Sequence, residues 1–567
     1  MASKLFNPLV TSSLSLLFLI IFALFISQSS AADVPLNTSV PPETICKSTD
    51  PHPSVCTSVL PHKNANVYDF GRFSVQYSFV QSRKLLDLIN KYLQGGSSLS
   101  QLEIQALEDC KSLALLNIDF LSNALETVNK TSDVLPSSDA DDVQTLLSAI
   151  LTNQQTCFDG LQSVSPVQND LSVSVSNGTN FYSVSLALVT KGWVPKGHKS
   201  NGTPNQSRKH LSFRKGRLSL KMSSKARAVY DSVINRRRHL LQAGDEEVVV
   251  KDIVVVSQDG TGNFTTINDA INAAPNNSVA SDGYFLVYIT GGVYEEYVSI
   301  ISKKKYMLLI GDGINQTIIT GSNSVGGGST TFNSATLAVV ATGFIAVNIT
   351  VRNTAGPSMG QAVAVRNGAD LSVFYSCSFE GYQDTLYTHS MRQFYRECDI
   401  YGTVDFIFGN AAVVFQNCNI YPRQPRQGQT NPITAQGRTD PNQNTGTSIQ
   451  NCTISAADDL ASSNFTVKTY LGRPWKEYSR TVYLQNFMDS LIDPAGWLAW
   501  SGDFALSTLY YGEYDNKGPG ADTSNRVTWP GYHIIGATDA SNFTVSNFVL
   551  GDSWLPQTGV PYTGGLM

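Results

Sequence analysis

In the second half of the chain one short pattern returns at nearly constant spacing: Val347-Asn348-Ile349, Ser376-Cys377-Ser378-Phe379, Glu397-Cys398-Asp399-Ile400, Gln416-Asn417-Cys418-Asn419-Ile420 and Gln450-Asn451-Cys452-Thr453-Ile454. Each lies at the end of a β-rich segment, these being Ile345 to Val351, Leu371 to Phe379, Gln393 to Ile400, Ala412 to Ile420 and Thr447 to Ile454. The steps from Cys377 to Cys398 to Cys418 are 21 and 20 residues, and no amphipathic helix intervenes. A strand-and-turn repeat of that length fits the coils of a parallel β-helix, where equivalent residues stack and bury a continuous core. A β-sandwich also has short strands, but it does not require like residues at like positions in successive coils. The expected fold of this part is therefore all-β, a parallel β-helix.

At 567 residues the chain is too long for one ordinary core, and its composition divides it. Lys4 precedes an apolar run from Leu14 to Ile26, followed by Ser29, Ser30, Ala31 and Ala32, the layout of a secretory signal peptide over residues 1–32. The run is short for a membrane span, and a signal anchor is the alternative. From 33 to 190 apolar residues recur at helical spacing. Leu113, Leu116, Phe120, Ala124 and Val128 mark one stripe; Val143, Leu146, Leu147, Ile150 and Cys157 mark another. An all-α bundle is expected, broken at Gly95-Gly96 and at Pro136-Ser137-Ser138.

Residues 191–241 carry 14 basic residues against the single acid Asp231, a net +13, which reads as a solvated linker rather than a packed element. Such charge raises the question of nucleic acid, but a secreted chain argues against that partner. The end of the linker, Arg236-Arg237-Arg238-His239-Leu240-Leu241, looks like a processing site for a protease. Residues 242–567 are the β-helical part. Secretion agrees with 12 Asn-x-Ser/Thr tripeptides and with 8 cysteines split evenly, Cys46, Cys56, Cys110 and Cys157 early and Cys377, Cys398, Cys418 and Cys452 late. Disulfides are expected. A metal site is not: no C-x-x-C pair exists, and only His389 and His533 follow the basic segment.

Polar and charged residues recurring on an outer face of such a coil call for a function. Five segments supply them: Gly292 to Glu296, Gln361 to Val365, Gly381 to Leu386, Asp405 to Gly409 and Leu471 to Trp475. Singly each has a structural reading, with Asp405 capping a turn, Arg473 in a surface ion pair, Gln383 in an amide ladder and Trp475 in the core. Together, in order, they resemble the pectin methylesterase family over Val254 to Leu555. The resemblance implies a right-handed parallel β-helix and hydrolysis of the C6 methyl ester of galacturonosyl units in methyl-esterified pectin, in the cell wall and without a cofactor. It puts the nucleophile on Asp405, the general acid/base on Asp384, the oxyanion-stabilising amides on Gln383 and Gln361, and substrate positioning on Arg473, Trp475 and Thr331. The helical region resembles the pectin methylesterase inhibitor family, a disulfide-stapled four-helix bundle. That resemblance implies Cys46 paired with Cys56, Cys110 paired with Cys157, and an intramolecular inhibitor or folding aid; a solubility or sorting module is the bland alternative. A monomer is expected.

Coil stacking brings Cys398 near both Cys377 and Cys418; the family resemblance tips the pairing to Cys398 with Cys418. Two other chemistries have partial signatures in the sequence. Gly356-Pro357-Ser358-Met359-Gly360 is formally G-x-S-x-G, but a β-rich segment follows it where a serine esterase needs a helix, and histidines are scarce. A pectin-depolymerising glycosidase or lyase would also use paired carboxylates. The glutamine beside Asp384 and the Leu-Gly-Arg-Pro-Trp segment favour the ester reading.

Overall fold

The computed structural model describes residues 35–195 apart from 48, 50, 96–98 and 165–168, together with 219–234 and 248–567. The expected signal segment and the Arg236 to Leu241 processing site lie outside these residues. Among the described residues no helix is long and apolar enough to cross a membrane.

Two short helices, α1 (Pro42–Cys46) and α2 (Pro53–Val59), lead into four long ones: α3 (Val67–Gln94), α4 (Gln101–Asn129), α5 (Ser137–Val164) and α6 (Asn169–Trp193). Their starts are written locally. Asn66 accepts from Asp69 N at 3.0 Å, and Ser100 with Glu103 forms a reciprocal capping box. The stripes read from sequence face inward, with Leu113, Ala124, Val128, Val143, Leu147, Ile150 and Cys157 buried; Leu116, Phe120 and Leu146 are half-buried. Disulfides join Cys46 to Cys56 and Cys110 to Cys157, the latter tying α4 to α5.

The β-helix winds through three parallel sheets of 12, 8 and 7 strands among the described residues. Each rhyming segment is not one strand but two, in different sheets, separated by a corner. The corner residues Asn348, Ser376, Glu397, Asn417 and Asn451 all have φ between 49° and 58°, the left-handed region. One such residue turns the chain from the first sheet to the second, which is why asparagine, tolerant of that conformation, recurs there. Stacked apolar residues fill the bore, among them Phe374, Tyr395 and Phe415, whose rings lie 5.1 and 4.7 Å apart in succession.

Two expectations are corrected. The basic segment is not solvated throughout: Lys191 still belongs to α6, and residues further on form β1 (Leu220–Met222) and α7 (Ser224–Ile234). Strand β1 pairs in parallel with β2 (Val248–Val256), and Leu220, Ala226 and Tyr230 are buried against the β-helix. Three apolar anchors pin this stretch, while Lys221 stays exposed. Cys398 and Cys418 are not bridged; with Cys377 and Cys452 they remain buried thiols. Asp399 pairs in register with Asn419, so Cys398 and Cys418 stand at equivalent places on neighbouring coils. Coils repeat at about 4.8 Å, whereas a disulfide needs Cβ atoms about 3.8 Å apart. Each thiol faces carbonyl oxygens instead, Cys398 those of Phe374 and Arg396 at 3.4 Å, Cys418 that of Tyr395 at 3.5 Å.

Candidate active site

Asp384 and Asp405 each stand two residues before a strand of the seven-stranded sheet, Leu386–Thr388 and Ile407–Gly409. Leu386 pairs with Ile407, so the two aspartates hold equivalent places on adjacent coils although 21 residues separate them in sequence. Both are left-handed, with φ of 63° and 53°. That conformation costs a residue with a Cβ about 1 kcal/mol or more. Here it is held by the next coil: Asp384 N donates to Val404 O at 3.0 Å, and Asp405 N to Pro432 O at 2.8 Å.

Arg473, directly after strand Thr469–Gly472, meets Asp405 as a fork: Nε donates to Oδ1 at 2.8 Å and Nη2 to Oδ2 at 2.6 Å. Its guanidinium lies 4.4 Å from the ring centre of Trp500. Burial raises the pKa of Asp405, opposed by the hydrogen bonds and charge of Arg473. Burial also works against the charge on Arg473, yet its bonds to Asp405 lift it above the ordinary arginine value, so the pair stays ionised. Asp384 differs. Burial raises it well above the ordinary range, the charge of Asp405 pushes the same way, and Arg473 only partly counters. The two aspartates thus stand in different environments, Asp405 forked by a cation and Asp384 beside the charge of Asp405 without a fork of its own.

Thr331, Gln361, Gln383, Asp384, Asp405, Arg473 and Trp475, the site residues expected from sequence, all line one cavity of about 330 Å³. Trp475 meets Phe408 edge-on at 6.0 Å, giving a flat apolar wall. The Gly292 to Glu296 segment plays another part: Glu296 accepts from Ile267 N and Asn268 N at 2.8 and 3.0 Å, capping the helix Ile267–Ala273. Ser358 sits exposed on a 3-10 turn, and the ring of His389 is engaged with Thr156 and Ser390 at 3.0 and 3.1 Å, its pKa pressed by burial to about 3. Neither suits a serine triad. Among the described residues no group of three or more His, Cys, Asp or Glu is placed to hold a metal ion.

Sequence reasoning missed part of the lining. Phe332, Tyr387 and Trp500 belong to the β-helix, and Phe332 and Tyr387 adjoin or lie close to segments already singled out. Asp109, Thr156, Asp159, Gly160 and Ser163 come from α4 and α5 of the bundle, which closes the cavity from above. Thr156 reaches His389 at 3.0 Å and Tyr387 Oη at 3.4 Å, and Asp159 pairs with Lys476 at 2.8 Å. Nothing in a helical stripe marks its outer residues as contacts for another domain.

Residues 253–552 match the family described as Pectinesterase, and residues 42–188 match the family described as Plant invertase/pectin methylesterase inhibitor. The chain is 58% identical over 563 residues to "Probable pectinesterase/pectinesterase inhibitor 20" of Arabidopsis thaliana, covering 98% of this chain and 100% of that one. It is 47% identical over 522 residues to "Pectinesterase 2" of Citrus sinensis, covering 91% and 93%. Among solved structures, "Pectin methylesterase from Carrot" matches at 52% identity and a TM-score of 0.55, covering 58% of this chain and 100% of that chain.

Proposed function

The chain belongs to the pectinesterase family, with an inhibitor-family domain ahead of the esterase, and on that premise we propose that Asp405 and Asp384 are the pair that hydrolyses methyl esters of galacturonosyl units in pectin. The observation that carries this reading is the division of labour within one cavity, Asp405 forked by Arg473 as a carboxylate and Asp384 buried beside it as an acid.

An Oδ of Asp405 attacks the ester carbonyl carbon, and the oxygen that takes up the charge is received by the amides of Gln383 and Gln361. Collapse breaks the bond to the methoxy oxygen, which takes the proton of Asp384 and leaves as methanol. An anhydride joins Asp405 to the sugar. Asp384, now a carboxylate, removes a proton from water, whose oxygen attacks the sugar acyl carbon; Asp405 departs as carboxylate, Asp384 is protonated again, and galacturonate is the product. Trp475, Phe408 and Thr331 position the sugar. No cofactor takes part.

The bundle, residues 33–190, is assigned the role of intramolecular inhibitor, because α4 and α5 close the cavity that pectin must enter. The hold extends along its flank. Arg392 of the β-helix pairs with Asp141 and Asp142 at 2.8 and 2.7 Å, Asn410 donates to Thr152 at 2.8 Å, and Gln443 to Ser148 O at 2.8 Å. A protease acting in the basic linker 191–241 would release it, in keeping with secretion to the cell wall as a monomer. The test compares methanol release from methyl-esterified pectin by residues 242–567 and by the full chain with Arg236, Arg237 and Arg238 replaced by alanine. Higher activity of the short segment supports both assignments; equal activity removes the inhibitory role, and no methanol from either removes the esterase.

A further inference from the structure

We propose that Arg423 is a positioning residue of the esterase, a clamp on the turn 381–385 that keeps the Gln383 amide and the Asp384 carboxyl aimed at the ester. The inference rests on the esterase reading above, which puts an oxyanion amide and the proton donor on that turn.

The turn carries the chain from strand Ser378–Glu380 to strand Leu386–Thr388, which belong to different sheets. It is tight and strained. A Cβ on Gly381 would come within 2.7 Å of Thr385 Oγ1, and Asp384 is held in the left-handed region with a φ of 63°. Main-chain bonds to the adjacent coils fix its inner side: Gly381 N donates to Tyr401 O at 3.3 Å, Thr403 N to Tyr382 O at 2.9 Å and Ala362 N to Gln383 O at 3.1 Å. Its outer side is the half-buried ring of Tyr382.

Arg423 takes hold there. It follows strand Asn419–Pro422, two coils on from the strand that leads into the turn. Its Nη1 donates to Gly381 O at 3.1 Å, its Nη2 donates to Tyr382 Oη at 2.9 Å, and its guanidinium carbon lies 4.1 Å from the centre of the Tyr382 ring. Three contacts thus converge on two consecutive residues, just ahead of Gln383 and Asp384. The base of the clamp is fixed in turn. Arg423 N donates to Gly402 O at 2.7 Å, and its carbonyl accepts from Asn431 Nδ2 at 2.8 Å. Its Nε donates to Asp459 Oδ2 at 3.1 Å, and the other oxygen of that carboxylate accepts from Gln424 N at 3.2 Å. Asp459 lies on the helix Asp458–Ala461, in the excursion between strands Thr453–Ile454 and Thr469–Gly472.

The side chains of Arg423 and Asp459 are 25% and 34% exposed, and an ion pair that open adds little to stability. What the pair supplies is direction for the planar fork. The catalytic cavity is lined by Gln383 and Asp384 but not by Tyr382 or Arg423, so the clamp acts through the turn and not on the sugar. A lysine could keep the charge pair with Asp459, but as a point charge it could not hold Gly381 O and Tyr382 Oη together.

The experiment uses residues 242–567; the solved carrot enzyme, 52% identical, is covered over its whole length by 58% of this chain, so an esterase of that length stands without a bundle. Its kcat, KM, pH profile and thermal unfolding are measured on methyl-esterified oligogalacturonide for the native segment, Arg423→Ala, Arg423→Lys and Tyr382→Phe. In Arg423→Ala kcat should fall about tenfold to a hundredfold, the scale of a misplaced reacting group, while KM stays within about twofold. Arg423→Lys should recover thermal stability but little of kcat, and Tyr382→Phe, which keeps the ring and loses the bond to Oη, should lie between. The alkaline limit of the profile should move down in Arg423→Ala, because a loosened turn admits water to Asp384, whose pKa burial and the charge of Asp405 hold up against Arg473. Where Arg423→Ala does not fold, Tyr382→Phe carries the same test. An unchanged kcat, a fall in kcat with the alkaline limit unmoved, or full recovery of kcat in Arg423→Lys overturns the clamp. So does a rise in KM at constant kcat, which would put Arg423 on the substrate. Methanol release by the native segment reports the esterase reading separately.

Discussion

The β-helix and the bundle are built on opposite relations between sequence and space. In the β-helix a fixed repeat turns sequence spacing into adjacency: 21 residues are one coil, so Asp384 and Asp405 meet because Leu386 and Ile407 are in register. In the bundle, stripes of Leu, Val and Ile define an interior, and the outer positions are free to vary. On the proposed reading, chemistry is carried by the register of the first and control by the outside of the second. The two meet at the cavity, where α4 and α5 supply Asp109, Thr156 and Asp159.

The severest way to test that division is to strike the β-helix alone. Asp405→Asn keeps the volume but removes the proposed nucleophile, and activity of the 242–567 segment should fall by at least about three powers of ten. Circular dichroism and thermal unfolding should show the fold retained. A folded, active variant would shift the chemistry to another residue. The native segment should also have a bell-shaped pH profile, losing activity as pH falls through the pKa of Asp405 and again as it rises through that of Asp384. With the bundle in place burial displaces both values upward.

The next effect belongs to the contact between the regions. Burial raises the pKa of Asp109 to about 6 in the docked chain, against hydrogen bonds from Thr330 and Asn333 and the charge of Arg366, with Glu108 adding a little to the rise. A raised docked value means that docking is strongest below the ordinary aspartate pKa and weakens as pH climbs through about 6. The full range of this loss is up to about two powers of ten in affinity. Titrating bundle retention in the cleaved chain from pH 4 to 7 reads it directly. Asp109→Asn should flatten the profile.

How much of this was open to reading from sequence follows the same line. The rhyme at Cys377, Cys398 and Cys418 disclosed the coil, and the segments around Asp384, Asp405 and Arg473 disclosed the cavity floor. The corner was hidden, because one left-handed residue inside an apolar segment leaves no gap in the pattern; only the asparagines at 348, 417 and 451 hint at it. The roof was hidden for a deeper reason. Asp109, Asp141 and Asp159 look like ordinary polar positions on amphipathic helices, and their partners Thr330, Arg392 and Lys476 lie more than 200 residues away with no shared period. The basic segment misled by its charge, since three apolar residues in β1 and α7 were enough to pin it.

Asp141→Ala should separate control from chemistry. Arg392 keeps Asp370 at 2.7 Å within its own domain, so the β-helix is spared an unpaired cation, and the bundle is left with only the more exposed Asp142 on that arginine. Truncating one partner of a buried charge pair costs about 2 kcal/mol, roughly 30-fold in retention after cleavage. Dilution assays of the cleaved chain measure it. Smaller again is the effect of the segment between the regions. A cut near Arg238 leaves β1 and α7 on the bundle's side, so β1 still pairs with β2 and acts as a second anchor. Replacing Leu220 and Tyr230 with alanine should speed release by about tenfold through lost apolar burial. No change would mean that β1 does not hold the cleaved bundle.

The smallest effect tests how the two regions use cysteine. In the bundle, bridges constrain helices that share no backbone ladder, and removing one such bridge costs about 2–5 kcal/mol. In the β-helix each coil is already fixed to the next by in-register hydrogen bonds, and Cys377, Cys398, Cys418 and Cys452 serve as small buried apolar groups. Cys398→Ala should therefore lower stability by only about 1 kcal/mol, the scale of a small core truncation, whereas Cys110→Ala should cost several times as much. Alkylation of the unfolded chain without reductant should label these four late cysteines and leave Cys46, Cys56, Cys110 and Cys157 unlabelled. Labelling of only Cys377 and Cys452 would mean that Cys398 and Cys418 are bridged after all, and that a coil can depart from its register far enough to bring two stacked side chains together.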